Sequence, residues 1–423
     1  MKKSIFSNDY ALSVFSKIFA MVVGLLSSAF LTRYLGMLNK GDYAFVTQAV
    51  NVAVLVLNLG MYQSYSYNYR KQGDAIFQQY ISLFGLQFVV YSLIAAAIAA
   101  LSGDLLVCLI ALMTPIQIIK VQMDNIMLVQ HVKLRLVSNM LSSVLLMVCY
   151  AVLYFFFESA LIPVAAVTVL IDLMIVVIYF GRMKALPRWR GIDWRMAKKI
   201  LSFGFLPMLS ALLMTLNYSV DIFFLKKLGD PVELSLYSVA AGIMNYVWLV
   251  PDAFKDIIFS RVARQKDQDA NQSVAFSVKM SLVFLVIVTI GFVVVGRLFI
   301  SLMYGPDFLG SYGVVLVLFL GVFSMIFYKI FGVVLMAQGR KNAYFIILLI
   351  SVILNVVLNA VLIPIYGMYG AAWASVGSYN LCGVLFLIYY ARLKKIKIRT
   401  ILLVNKEDVR MLKPSAFRKN TGK

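Results

Sequence analysis

GRMKALPRWRGIDWRMAKK, residues 181–199, holds seven basic residues and one acid, Asp193. On either side of it the chain turns apolar. Before it come runs at 10–31, 43–66, 76–101, 104–126, 137–157 and 159–180. After it come runs at 200–225, 235–258, 274–299, 313–336, 343–365 and 369–391. A hydrocarbon core ~30 Å thick is crossed by ~20 helical residues at 1.5 Å each, and each run has about that length. The composition agrees: 62% of the 423 residues are hydrophobic and 13% are charged, against ~45–50% and ~25% in soluble domains. In lipid an unpaired backbone group has no water to turn to, so the runs must close their hydrogen bonds as helices. The reading is an all-α polytopic membrane protein of twelve transmembrane helices. A six-helix lobe at 1–180 and another at 200–391 are joined by the basic linker, and a basic tail follows at 392–423. The first run is too long for a signal-peptide core and leads into no small-residue cleavage site, so it is expected to remain as a span.

The gaps between runs give an orientation. Of 39 Lys and Arg residues, 29 fall in the gaps on the side of the basic linker, five in the gaps on the opposite side and five within runs. Basic loops stay in the cytoplasm, which puts both termini there. The net charge of +21 is therefore a topology signal and not a nucleic-acid groove, because the bases sit in short gaps between spans. Cys108, Cys149 and Cys382 lie far apart inside apolar runs, and the one histidine, His131, lies in the loop segment HVKLR. Neither pattern makes a metal site. No phosphate-binding GxxxxGK[ST] loop, nucleophile elbow or HExxH occurs. The outward gaps are too short for the domain a glycan polymerase or ligase uses, and no acid-rich loop awaits a divalent metal. The chain reads as a carrier and not an enzyme, with no cofactor.

The two halves echo each other. RYLGMLNKGDYAFV (residues 33–46) and KKLGDPVELSLYSVA (226–240) each follow the first span of a half, with Gly36 and Gly229 offset by 193 residues. Leu161-Ile162-Pro163 and Leu362-Ile363-Pro364 repeat at an offset of 201. This pattern suggests six helices duplicated in parallel orientation.

Charges inside spans are expensive, about 2.5–3.5 kcal/mol at mid-helix, and mark function by default. Lys17, Lys120 and Lys329 are expected at one level in the inner third of the membrane, with Lys255 and Lys279 nearer the surface. Such cations would attract a phosphate-bearing cargo if they face a cavity, or would snorkel to headgroups if they do not. Arg33, at the outer end of the first span, is either a gate or an interfacial anchor. Asp172, near the middle of the sixth run, and Asp221 are candidates for coupling to an ion, with a lysine partner in the same half as the plain alternative for Asp172. Asp252 and Asp256 flank Lys255 and read as a local ion-paired helix end. MYQSYSYNYRK (61–71) offers Tyr62 and Tyr65 for stacking on sugars, or as part of an interfacial aromatic belt. Pro115, Pro207 and Pro251 interrupt spans and permit bends.

One stretch is more specific. NVVLNAVLIPIYGMYGAAWASVGSY (355–379), with Asn355, Asn359, Pro364, Gly367, Gly370, Ala371 and Ala372, resembles the last helix hairpin of bacterial polysaccharide exporters. These are the Wzx-type flippases of O-antigen and capsule repeat units, in the multidrug/oligosaccharidyl-lipid/polysaccharide (MOP) exporter superfamily. RYLG, YSVDIFFL around Asp221, MYGPDF (303–308) and AQGRKN (337–342) are similar too. The resemblance implies a V-shaped protein of two six-helix lobes in the bacterial inner membrane. The implied cargo is an undecaprenyl-pyrophosphate-linked oligosaccharide, moved to the outer leaflet with a proton or sodium ion as coupling ion. Its implied partners are membrane lipid and other polysaccharide-assembly membrane proteins. An ion-coupled multidrug antiporter of the same superfamily is the alternative, and a membrane glycan polymerase or ligase a more distant one.

Overall fold

The computed structural model describes residues 3–183, 186–248, 251–252 and 267–403; side chains are described from residue 18 onward, except at 75, 190 and 267–270. Among the described residues the regular structure is helical throughout. The helices are α1 Lys3–Leu57, α2 Met61–Gln72, α3 Asp74–Leu101, α4 Leu105–Gln130, α5 Val132–Phe156 and α6 Leu161–Met183. Beyond the linker follow α7 Trp194–Leu228, α8 Pro231–Val247, α9 Asp267–Tyr304, α10 Ser311–Ala337, α11 Lys341–Lys394 and the short α12 Ile398–Leu402. Nine of them are long and apolar enough to cross a membrane. Two of the nine, α1 and α11, have 55 and 54 residues, twice the length of a span, and each is broken at a glycine. Gly36 (φ 64) divides α1 and Gly367 (φ 53) divides α11, both in a left-handed conformation that costs other residues about 1–2 kcal/mol. With α8, the described chain has twelve spanning segments, six before the basic linker and six after it. The turns expected near 32–42 and 366–368 are these two sharp glycine breaks.

The second span departs from its expected course. It starts at Met37, directly after the break, and stops at Leu57; Leu59 (φ 53) and Gly60 (φ 74) then turn the chain into the separate polar helix α2. The carbonyl freed at the break is satisfied from neighbouring helices. Gln87 Nε2 and Tyr91 Oη donate to Leu57 O at 2.6 and 3.1 Å, and Gln122 Nε2 donates to Asn58 Oδ1 at 2.9 Å. A helix can break inside a membrane only where side chains take up its backbone groups in this way.

By their packing the residues fall into two compact units, Met1–Ser238 with Ile300–Phe308, and Val239–Phe299 with Leu309–Lys423. In the first, α1 packs against α4, α5 and α7, while α4 packs against α3 and α6. One core joins α1, from Leu31 to Val54, to α4–α6 through Leu35, Val46, Met113 and Val164. Another joins α2, α3, α4 and α6 through Tyr65, Phe84, Met123 and Tyr179. Gly60 and Gly204 bring the break after α1 against α7 backbone to backbone: a Cβ on either would lie 3.0 Å from the other's Cα. In the second unit α10 packs along α11, with Phe331 stacked on Tyr390 at 4.3 Å.

Candidate functional site: charges within the membrane

In the first unit, α4 carries Gln117, Lys120 and Asp124 at spacings of three and four residues, which places them on one face. The neighbouring α6 carries Thr168, Asp172 and Tyr179. Gln117 pairs with Asp172, and Tyr179 with Asp124, each across 55 residues of sequence, so the two helices run parallel and in register. Lys120 Nζ lies 2.5 Å from Asp172 Oδ1, and Gln117 Nε2 donates to the other carboxylate oxygen. About a turn further along, Tyr179 Oη donates to Asp124 Oδ1 at 2.8 Å, while Arg135 of α5 stands 3.7 Å from Asp124 Oδ2. On the other side of Asp172, Thr168 shares a hydrogen bond of 2.9 Å with Tyr150. The result is a polar ladder through an apolar bundle. Within the central pair, Asp172 exposes 3% of its side-chain surface and Lys120 24%. The carboxylate is walled in, whereas the lysine side chain is partly open.

The second unit holds a comparable cation. Lys329 of α10 is buried, with its Nζ 2.8 Å from Asp252 Oδ2 and 4.8 Å from the centre of the Trp248 ring. Trp248 in turn meets Tyr379 of α11 edge to face at 6.5 Å. Carboxylate and indole face together stabilise an ammonium that would otherwise be costly in a low dielectric. Asp252 thus reaches Lys329 of α10, 77 positions away. Lys17, Lys255 and Asp256 lie outside the residues whose side chains are described.

The other expected site residues have engagements of their own. Arg33 is exposed, and its Nε and Nη2 donate to Met303 O and Leu302 O at 3.1 and 2.6 Å. These are carbonyls of the last turn of α9, where a cation is favoured by the helix dipole. Asp221 is buried and accepts hydrogen bonds from Tyr237 Oη and from the backbone N–H of Ile222. Tyr62 is half-buried, beside Gln63. Tyr65 is fully buried, bonded to Gln130 Nε2, stacked on Tyr69 and edge-on to Tyr80, so its ring is part of the core and has no face open to a sugar. Tyr69, outside the spans, donates to Asp74 Oδ1 at 3.0 Å, and that hydrogen bond to a carboxylate pushes its phenol above the ordinary pKa.

The two copies of the repeated motif meet. Lys226 Nζ lies 2.5 Å from Asp42 Oδ1, and Ser235 Oγ accepts from Gly41 N at 2.8 Å and donates to Met37 O. A Cβ on Gly41 would lie 2.9 Å from Ser235 Oγ, so this closeness depends on the glycine. The most specific motif of the sequence proves architectural. Asn355 Nδ2 donates to Ser378 Oγ at 2.7 Å and Ser351 Oγ to Ser378 O at 3.0 Å, tying the two arms of α11 together, while Asn359 Nδ2 donates to Asn355 Oδ1 at 2.9 Å within the first arm. Among the described residues no group of three or more His, Cys, Asp or Glu is placed to hold a metal.

Gln117 and Trp248 carry much of this geometry without standing out in the sequence, whereas Asp124 stands out there as a charge inside a span. Gln117 had a signal: polar residues at 117, 120 and 124 on one helix face, and at 168, 172 and 179 on another. Trp248 had none.

Residues 173–414 match the family described as MurJ, lipid II flippase. No curated protein matches the sequence. Among solved structures, a lipid II flippase MurJ in an inward closed conformation is similar over 98% of this chain and 93% of that one, with 14% identity and a TM-score of 0.72. An inward-facing multidrug resistance transporter of the MATE family, in the MOP superfamily, is similar over 89% and 94%, with 11% identity and a TM-score of 0.70. A MOP superfamily transporter from Pyrococcus furiosus follows at 92% and 95%, with 10% identity and a TM-score of 0.62. At these identities the likeness is one of fold.

Proposed function

Because this chain belongs to the MurJ lipid II flippase family, we propose that it moves a polyprenyl-diphosphate-linked saccharide between membrane leaflets. The lipid is undecaprenyl pyrophosphate, the direction is cytoplasmic to outer leaflet of a bacterial inner membrane, and both termini are cytoplasmic. The two six-helix halves rock against each other in alternating access, driven by a proton or sodium gradient. Lipid II is what the family's name specifies. The resemblance of residues 355–379 to polysaccharide exporters favours an O-antigen or capsule repeat unit as cargo here, and both cargoes share the diphosphate.

The observation that carries the reading is the pairing of membrane-embedded lysines with single carboxylates, Lys120 with Asp172 and Lys329 with Asp252. A diphosphate can replace a carboxylate as the partner of an ammonium, with stronger charge-assisted hydrogen bonds. Lys120 is the candidate for this contact in the first unit and Lys329 in the second, with Lys17, Lys255 and Arg33 as further candidate cations. Asp172, released from Lys120, takes up the coupling proton, and Asp221 is the second coupling candidate. Tyr62 is the candidate to stack on sugar.

The second reading, an ion-coupled multidrug antiporter, draws on the likeness to the MATE transporter. An organic cation needs an unpaired buried acid, and Asp172 is already neutralised by Lys120. The test is reconstitution into vesicles with a fluorescent undecaprenyl-diphosphate oligosaccharide, scoring its accessibility to a membrane-impermeant quencher. Lys120→Ala with Lys329→Ala slows flipping at least tenfold, the loss expected for about 1.4 kcal/mol or more of cargo interaction. Wild-type flipping by that double variant, or transport of cationic dyes but not of the lipid, refutes the proposal.

A further inference from the structure

The basic linker is held in a fixed course along α3. Gln78 Nε2 donates to Leu186 O at 2.8 Å, Arg188 N donates to Ser82 Oγ at 3.0 Å, and Gln79 bonds both Asp193 O and Asp193 N, at 2.9 and 3.2 Å. Pro187 lies flat on α3 at Gly85, where a Cβ would come within 2.8 Å of the proline Cβ. Gln78, Ser82 and Gly85 share one face of α3, so residues 186–193 form a strap along that face. Asp193, the one acid of the linker, is used as the N-cap of α7, accepting from Arg195 N and Met196 N at 2.8 and 3.2 Å.

With its backbone tied down, the strap turns its side chains outward. Leu186, Trp189 and Trp194 are 76%, 55% and 67% exposed. Arg182, Arg188, Arg195, Lys198 and Lys199 are exposed around them. The depth is informative. The apolar stretch of α3 begins at Ile76 and runs 26 residues, about 39 Å at 1.5 Å per residue, which overshoots a ~30 Å hydrocarbon core by several ångströms at each end. Gly85, with Pro187 upon it, lies about 13 Å into that stretch. The strap therefore descends from the headgroup layer beside a spanning helix. Trp189 lies beside Gly85 at that depth. Leu186 and Asp193, the latter just before Trp194, are tied through their backbones to Gln78 and Gln79, nearer the headgroups. With exposed bases interspersed among them, these side chains match the interface between acyl chains and headgroups. A water-soluble partner does not reach there, and the bases select negative headgroups.

We propose that the strap is a docking surface for anionic phospholipid headgroups of the leaflet on the linker side. Trp189, Trp194 and Leu186 seat it in the upper acyl region, and Arg188, Arg195, Lys198 and Lys199 bind the phosphates. Since the strap joins α3 of the first half to the cap of α7, the first helix of the second, bound anionic lipid fixes the inner ends of both helices at the membrane surface.

The test uses the full-length protein in phosphatidylcholine vesicles containing a minor fraction of brominated phosphatidylglycerol or, in parallel, the same fraction of brominated phosphatidylcholine. The strap signal is the tryptophan quenching lost on Trp189→Phe with Trp194→Phe. Quenching by the anionic lipid should exceed that by the zwitterionic one roughly threefold to tenfold. Replacing Arg188, Arg195, Lys198 and Lys199 together by Gln should abolish the preference while leaving zwitterionic quenching unchanged. Quenching of the exposed Trp373 confirms that each variant is folded and inserted. Equal quenching by the two lipids, quenching by neither, or a preference that survives the loss of the four bases overturns the proposal.

Discussion

Replacing Gly204 by alanine puts a methyl group onto the backbone of the break at Gly60, and the energy of that collision can be worked out by comparison with other glycines of the same chain. Gly204 is helical, so the substitution alone would gain about 0.5–1 kcal/mol from reduced chain entropy. Against this stands a Cβ that would lie 2.6 Å from the Gly60 carbonyl carbon and 3.0 Å from its Cα. Backbone cannot rotate away as a side chain does. The strain belongs at the upper end of the roughly 1–3 kcal/mol seen for overpacking, leaving a net loss of about 1–2 kcal/mol. Gly60→Ala meets the same collision from the other side and adds a left-handed φ of 74, for about 2–5 kcal/mol in all.

Two further glycines separate the contributions. Gly36 has φ 64 and nothing within 4 Å of a would-be Cβ, so Gly36→Ala reports strain alone, about 1–2 kcal/mol. Gly181 is helical with open space around it, so Gly181→Ala gains about 0.5–1 kcal/mol. The assay is the fraction of detergent-solubilised protein remaining monodisperse after heating. The expected order of stability is Gly181→Ala, wild type, then Gly36→Ala and Gly204→Ala together, and Gly60→Ala last. If Gly204→Ala matches Gly181→Ala, or Gly60→Ala is no worse than Gly36→Ala, the close approach of the break to α7 is wrong.

Arg33→Ala removes two hydrogen bonds and a cation from the last turn of α9 and is expected to cost about 1–2 kcal/mol, with Arg33→Lys recovering only part, because the guanidinium fork serves two carbonyls at once; thermal unfolding of the three proteins decides. Asp42→Cys with Lys226→Cys, in a chain whose own three cysteines are replaced, should halt flipping when the two thiols are bridged by a reductant-cleavable bis-thiol crosslinker of lysine-like length, because the alternating access proposed above requires the two repeated motifs to part; unimpaired flipping by the crosslinked protein would refute this. Asn355→Ala leaves Ser378 Oγ and Asn359 Nδ2 short of a partner inside α11 and should lower stability by about 1–3 kcal/mol, measured by the same heating assay, while Asn355→Asp is tolerated less well because it brings a charge.

The spans were legible because each depends on a window of about twenty residues. The seven bases at 181–199 and the apolar runs beside them require no knowledge of neighbours. The glycine turns were legible as turns, though not as the abrupt breaks at Gly36 and Gly367. The stop at Leu57 was not legible, because it depends on Gln87, Tyr91 and Gln122 arriving from α3 and α4 to satisfy the opened helix. Lysines at 120 and 329 could be found in the sequence as costly charges. Their partners were not legible, because Asp172 and Asp252 lie 52 and 77 positions away along the chain. The tyrosines of 61–71 show the same limit, since nothing in the string MYQSYSYNYRK separates the ring of Tyr65, enclosed by Tyr69 and Tyr80, from the half-open ring of Tyr62.

By itself, then, the sequence determined that this chain lives in a membrane, roughly which stretches cross it, and which gaps carry the bases, since transfer of a segment into lipid is a sum over that segment's own residues. Only the tertiary structure decided which charge neutralises which, which polar groups close the broken helix, and which rings are enclosed. Those interactions fall off within a few ångströms, and residues 52 or 77 positions apart come that close only after the helices have packed.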